Sequence, residues 1–177
     1  MNNILTLIAA AGLAAPGLAQ TPSAPPELCL HIRTNFEFIV HAPYAVTAPL
    51  FGPDGERAWA GDDWDPKFIH PQPPNDVEGA VFTVSNGRST LVWVNTLFDL
   101  DARHFQYVYF LPELMVSTID VRFKPIDAGT TQVNVVYTRT ALTPQGNEQV
   151  ARMSEGDGKK DKEWQQAINS YLASRKR

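Results

Sequence analysis

The chain changes its hydrophobic rhythm at residue 79. From there to residue 142, apolar and polar positions alternate through GAVFTVS, TLVWVNTLF, HFQYVYFL, MVSTIDVRFKPI and TTQVNVVYTRTAL. A period of two predicts strands with one buried face. The links NGR, DLDA, PE and DAGT are too short to cross a sheet, so these five strands are expected to form an antiparallel meander. An earlier strand is expected in RTNFEFIVHAP, where Phe36, Phe38 and Val40 share a face. Pro43 suits the first position of a short helix, PYAVTAPLF, that Pro49 kinks or stops. PDGERAWA adds a further helical turn or two, and GDDWDPKFIHPQPPND, dense in proline and glycine, reads as loop.

Near the other end the rhythm becomes helical. Trp164, Ala167, Ile168, Tyr171 and Leu172 form one apolar stripe, and Arg175, Lys176 and Arg177 suit the negative pole of that helix. NEQVARM predicts a shorter helix, set off by Gly156-Asp157-Gly158. One strand, two short helices, a meander and a long helix together predict an α+β fold. A strongly curved antiparallel β-sheet would wrap around the long C-terminal helix and leave a cavity between them.

Parity sets the orientation of the sheet. If the last hairpin turns near Ala128, Ile119, Val121 and Phe123 face Val133, Val135 and Tyr137, while the alternate positions carry Asp120, Arg122, Lys124, Gln132 and Asn134. The apolar set belongs inside. The same parity points Trp93, Asn95, Phe105, Tyr107, Tyr109 and Ser117 inward, with Arg139 at the far end; a bulge would flip part of that set. Several amphipathic rings on one concave face suit a cavity whose contents supply hydrogen bonds. The alternative is a filled core in which they bond one another.

Composition narrows the class. The net charge is −4 and the basic residues are scattered, so no nucleic-acid partner is expected. Residues 4 to 19 are small and apolar, too short for a comfortable span, and Gly17-Leu18-Ala19 fits a signal-peptidase site. We therefore expect a signal peptide over 1–19, a Pro-rich lead over 20–30, one domain over 31–174 and a basic tail over 175–177. The exported protein would be periplasmic or secreted, with no stable membrane span after cleavage. The first residues lack Lys and Arg, which leaves an uncleaved anchor as the alternative. Cys29 is the only cysteine, so no internal disulfide is expected and its thiol reads as buried or idle.

The segments APLFGPDGERAWA, WDPKFIHP, WVNTLFD, QYVYFLPE, IDVRF and VVYTRTAL resemble the SRPBCC superfamily, the START and birch-pollen-allergen-like helix-grip proteins. The likeness spans about residues 31 to 174 and is closest to bacterial members of the polyketide cyclase/dehydrase and lipid-transport-like branch. It implies a helix-grip fold with a deep hydrophobic pocket for a lipid, polyketide, sterol or similar molecule. In such a fold residues 43 to 70 would lie across the open end of the sheet, with Trp59, Trp64 and Phe68 capping the cavity or lining its entrance.

The candidate ligand-binding set is therefore Trp59, Trp64, Phe68, Trp93, Asn95, Tyr107, Tyr109, Ser117, Tyr137, Arg139, Trp164 and Tyr171. No catalytic residue is assigned, and no metal or other cofactor is expected. His31, His41, His70 and His104 lack metal-ligand spacing, there is no G-x-S-x-G elbow, and GPDGER lacks the setting of a phosphate loop. Glu56 and Arg57 are expected to make a local ion pair or helix-end contact at the cavity mouth. An inward Arg139 needs a counter-ion, either a ligand head group or a nearby protein acid. Three functions stay open: a carrier or sensor of a hydrophobic small molecule, a metal-free cyclase or dehydratase acting in the same cavity, and an envelope interaction protein with a filled core.

Overall fold

A computed structural model describes residues 27–85, 87 and 89–175. The signal peptide, most of the Pro-rich lead, two residues of the NGR link and the last two of the basic tail lie outside the described residues. One open antiparallel sheet contains β1 (His31–Val40), β2 (Lys67–His70), β3 (Val81–Ser85), β4 (Thr90–Asp99), β5 (His104–Leu111), β6 (Met115–Asp127) and β7 (Thr130–Ala141). Its order is β1-β7-β6-β5-β4-β3-β2. Among the described residues three α-helices accompany it: α1 (Tyr44–Thr47), α2 (Asn147–Gly156) and α3 (Lys160–Ser174). This is the α+β arrangement of curved sheet and long helix that the element order implied.

Two details differ from the pattern. The stretch expected to be loop holds β2, whose Phe68 pairs with Phe82 in register and packs its ring at 5.7 Å. Pro66 and Pro71 flank it, and proline is tolerated there because β2 is an edge strand. The second difference is a bulge in β4 between Asn95 and Leu97. Before it, Trp93 and Asn95 hold the inward parity; after it, Phe98 turns in and stacks on Phe105 at 4.0 Å. The last hairpin pairs Phe123 with Val133 and Ile119 with Tyr137, the register of a turn at Ala128. Phe105, Tyr107, Tyr109, Ser117, Ile119, Val121, Phe123, Val133, Val135, Tyr137 and Arg139 are all buried.

Helix α3 closes the sheet along its β1 edge. Its apolar side buries Ile168 and Leu172 and sets Trp164 edge-on to Phe36 at 5.3 Å. Its polar side serves the strand backbone. Gln165 accepts from Ile39 N at 2.9 Å, and Asn169 accepts from His41 N and donates to Ile39 O, at 2.8 and 2.9 Å. An exposed edge strand is a template for unwanted pairing; here the helix side chains occupy its free groups.

The start of α3 is fixed by a buried charge. Gly156-Asp157-Gly158 does not break the helices apart but forms a 3-10 turn, Asp157–Lys159, that joins α2 to α3. Asp157 is 2% exposed and takes a two-point bond from the wholly buried Arg139 of β7, at 2.5 and 3.0 Å. Thr34 of β1 also donates to it, and Lys160 Nζ stands 3.3 Å away. Burial pushes the Asp157 carboxyl up, but the bonds from Arg139 and Thr34 outweigh burial and hold it below its ordinary value.

Removing one partner of such a pair strands the other. We expect Arg139→Met to destabilise the fold by about 3–5 kcal/mol in denaturant unfolding, and the double variant Arg139→Met, Asp157→Leu to recover much of that loss. Equal stability of wild type and the single variant would contradict the clamp.

Candidate functional site

Cross-strand register lays the inward residues out in rows. One row runs Ile32, Arg139, Ser117, Tyr109, Trp93, Phe82, Phe68, and the next runs Thr34, Tyr137, Ile119, Tyr107, Asn95. The junction of α2 and α3 covers the Arg139 end of the first row, where Asp157 meets it. Beyond that cover a cavity of about 350 Å³ opens between sheet, α3 and the segment after α1. The sheet lines it with Phe82, Trp93, Tyr107, Ile119, Val121 and Tyr137; α3 adds Glu163, Trp164 and Ala167. Phe51, Pro53, Glu56, Trp59, Ala60 and Trp64 close the remaining side. Ala60 and Glu163 are exposed, which places the mouth between them.

All four tryptophans of the chain therefore meet at one cavity. The Trp59 indole N–H donates to Leu50 O at 2.6 Å and that of Trp64 to Pro53 O at 2.8 Å. With their polar ends tied to backbone, the rings are fixed: Trp59 stands edge-on to Trp164 at 5.2 Å, and Trp64 edge-on to Trp93 at 5.4 Å. Tyr107 donates to Phe51 O, so its hydroxyl anchors the same segment from the sheet side. Burial, then the nearby Glu56 and Asp76 carboxyls, push that phenol well above its ordinary value, so it stays a neutral donor.

The segment carrying Trp59 and Trp64 folds around an internal anion. Asp76 accepts from Asp54 N at 2.9 Å and from Gly55 N at 3.2 Å. The glycines of GPDGER are required by close approach: a Cβ on Gly52 would lie 2.0 Å from the Asp76 carboxylate, and one on Gly55 would lie 1.8 Å from Pro49 O. The turn's amides thus hold a carboxylate of the chain itself. They present the 3-10 turn Gly55–Ala58 toward the cavity.

On a turn with about three residues per revolution, Glu56 and Trp59 share a face. Both line the cavity, while Arg57 points away to Asp54 at 2.9 Å, Asp65 at 2.5 Å and Pro66 O. The ion-pair expectation thus holds for Arg57 and fails for Glu56, because the turn sends neighbouring side chains in opposite directions. Among the described residues, no hydrogen-bond donor meets the Glu56 carboxyl. Burial, then Asp76, push it well above its ordinary value of 4.5.

Of the candidate residues named from sequence, the cavity collects Trp59, Trp64, Trp93, Tyr107, Tyr137 and Trp164. The others lie elsewhere. Phe68 packs behind Phe82, and Tyr109 stacks on Trp93 at 4.3 Å. Asn95 is buried and donates to Val77 O at 3.2 Å, and Ser117 is buried beside Arg139. Tyr171 meets Arg175 near the end of α3. Arg139 has Asp157 as its counter-ion, so of the two partners considered for it the protein acid is the one present. Phe82 was missed, although parity carried one hairpin further places it opposite Trp93.

No family model matches the chain, and no curated protein matches it. Solved structures do. The chain is similar to a point mutant of norcoclaurine synthase from Thalictrum flavum, with a TM-score of 0.63, 11% identity, and 85% of this chain and 99% of that one covered. It is also similar to the di-domain ARO/CYC protein BexL, at a TM-score of 0.59 and 14% identity over 80% of this chain and only 46% of BexL's length. A third likeness is to Ara h 8.0201, at a TM-score of 0.51 and 17% identity over 81% and 99% of the two chains. At these identities the likeness is one of fold. The chain shares their helix-grip fold.

Because Glu56 binds its proton more tightly in the folded than in the unfolded chain, stability is lost as pH rises from 4.5 through its raised value. We expect Glu56→Gln to raise the melting temperature at pH 8 and to leave it nearly unchanged at pH 4. The same shift at both pH values would show that Glu56 is not held neutral in the cavity.

Proposed function

We propose that the protein binds a compact hydrophobic small molecule, aromatic or polyketide-like or a short lipid, as a carrier or sensor. The observation that carries this reading is the 350 Å³ cavity, on which all four tryptophans converge without filling it. A cavity that size is roughly ten times the ~30 Å³ that one water takes in the liquid. That argues against an envelope protein with a filled core. Covering ~300 Å² of apolar ligand surface contributes roughly 7 kcal/mol gross, of which immobilisation removes several, so micromolar affinity needs no further contact. Norcoclaurine synthase of the same fold is described in complex with dopamine and hydroxybenzaldehyde, each a single-ring molecule. The export reading, which rests on residues 1–19, would place this binding in the periplasm or outside the cell.

Glu56 supports a second reading, a metal-free cyclase or dehydratase. A carboxyl kept protonated in an apolar cavity can deliver a proton to a bound carbonyl or departing hydroxyl and take one back. The fixed aromatic walls would hold a flexible substrate folded. Unchanged ligand in an organic extract of the native protein favours the carrier; conversion of added substrate that Glu56→Gln abolishes favours the enzyme.

Titration with naphthalene, read by intrinsic tryptophan fluorescence, tests the shared claim of binding. We expect a saturable spectral change in the micromolar range. Ala167→Trp, which extends a side chain from α3 into the cavity, should abolish it while leaving the unfolding transition in place. A folded wild-type protein whose tryptophans ignore naphthalene would refute the binding reading.

A further inference from the structure

The charge of the cavity identifies the ligand more narrowly than its shape does. Its only charged lining residues among those described are Glu56, inside, and Glu163, at the mouth. The cations that surround the site are already committed. Arg57 is turned outward onto Asp54 and Asp65. Arg139 and Lys160 are held by Asp157 and sit over the ring of Tyr137, each 4.3 Å from its centroid. A carboxylate-bearing ligand would therefore find like charge and, among the described residues, no uncommitted cation; the one unpartnered donor of the lining is the neutral indole N–H of Trp93. A neutral apolar ligand would leave the Glu56 carboxyl without a bond in a site from which water has been displaced, which is unfavourable.

The rings point the same way. The faces of indole and phenol rings carry partial negative charge and attract a cation within ~6 Å, indole most strongly. Trp59, Trp64, Trp93 and Trp164 line the same small space as Glu56. Tyr137 shows that a wall of this cavity already holds cations on one of its rings.

Resting on the reading that the cavity binds a small molecule, we propose that its ligand is an organic cation: a compact molecule carrying a charged amine or quaternary ammonium, seated against Glu56 between the tryptophans. Such a ligand supplies the counter-charge that the described lining residues do not offer and favours the ionised form of Glu56, so binding at a pH below its raised value releases a proton. The groups facing Glu56 are Asp76 before β3, Tyr107 of β5, Tyr137 of β7 and Glu163 of α3. None brings a positive charge. Affinity for a cation of fixed charge should fall as the pH drops below the raised value of Glu56.

Phenyltrimethylammonium and tert-butylbenzene share one shape and differ by a single charge, which makes them the deciding pair of probes. Tryptophan fluorescence of the wild-type protein at pH 8 should report the cation binding about tenfold or more tightly than its neutral isostere. In Glu56→Gln that preference should shrink to within about threefold, chiefly through loss of cation affinity. Acidification should weaken the cation in wild type and not in the variant. Equal binding of both probes, or a preference that survives Glu56→Gln, overturns the cation proposal and leaves the binding reading standing. If neither probe perturbs the tryptophans, the proposal falls together with the binding reading.

Discussion

The geometry of the cavity depends on one buried ion pair. Arg139 on β7 and Asp157 at the junction of α2 and α3 tie the start of the long helix to the strand beside the β1 edge of the sheet. Charges this well hidden are stable only in good geometry with their remaining lone pairs used, and Thr34 and Lys160 use them. Once the junction is pinned, the direction of α3 follows from two further anchors, Gln165 and Asn169 on the β1 backbone. Trp164, between junction and anchors, is then obliged to stand over Phe36, Phe38 and Trp59. The helix wall is set by polar contacts at the sheet edge, not by apolar filling of the space beneath it. That is why space remains.

The opposite wall obeys the same logic. A segment of this composition has little apolar surface with which to fold, yet it places two indoles and a carboxyl with defined orientation. Asp76 supplies the order by occupying the amides of Asp54 and Gly55, and the backbone carbonyls of Leu50 and Pro53 hold the indole N–H groups. Large rings fixed at their rims by hydrogen bonds resist collapse into the void they surround. Without those bonds, the strong tendency of protein interiors to close-pack would favour filling it.

How far the chain discloses this in advance depends on the kind of information. The meander, its inward parity and the turn at Ala128 follow from period-two alternation, because a register slip would put Asp120, Arg122 and Lys124 in the core. The bulge in β4 has no signal of that kind: Thr96 looks like any strand residue, and only Phe98 against Phe105 shows the flip. Strand β2 is four residues between prolines and is specified by its neighbour β3, a tertiary effect. An inward Arg139 predicts an acid, but which acid depended on how α2 runs into α3. Asp157 between two glycines has the look of a loop residue. Glu56 was concealed by its neighbour, since an adjacent Glu and Arg invite a local pair unless the turn type that separates them is known.

Glu56 is also where the fold's own economy gives out. The acids buried or turned outward around it have bonds that account for their places: Asp54 and Asp65 bind Arg57, Asp76 binds backbone, and Asp157 binds Arg139, while Glu163 stands exposed at the mouth. Glu56 meets no donor among the described residues, and burial, then Asp76, disfavour its ionised form in the folded protein. A leucine or methionine of similar volume would fill that position without this penalty. Such local conflicts between sequence and stability concentrate where a protein acts on something outside itself. A carrier with a cationic ligand and an enzyme with a protonated acid would both relieve the conflict, one by ionising the group and the other by using its proton. A passive core would relieve it in neither way.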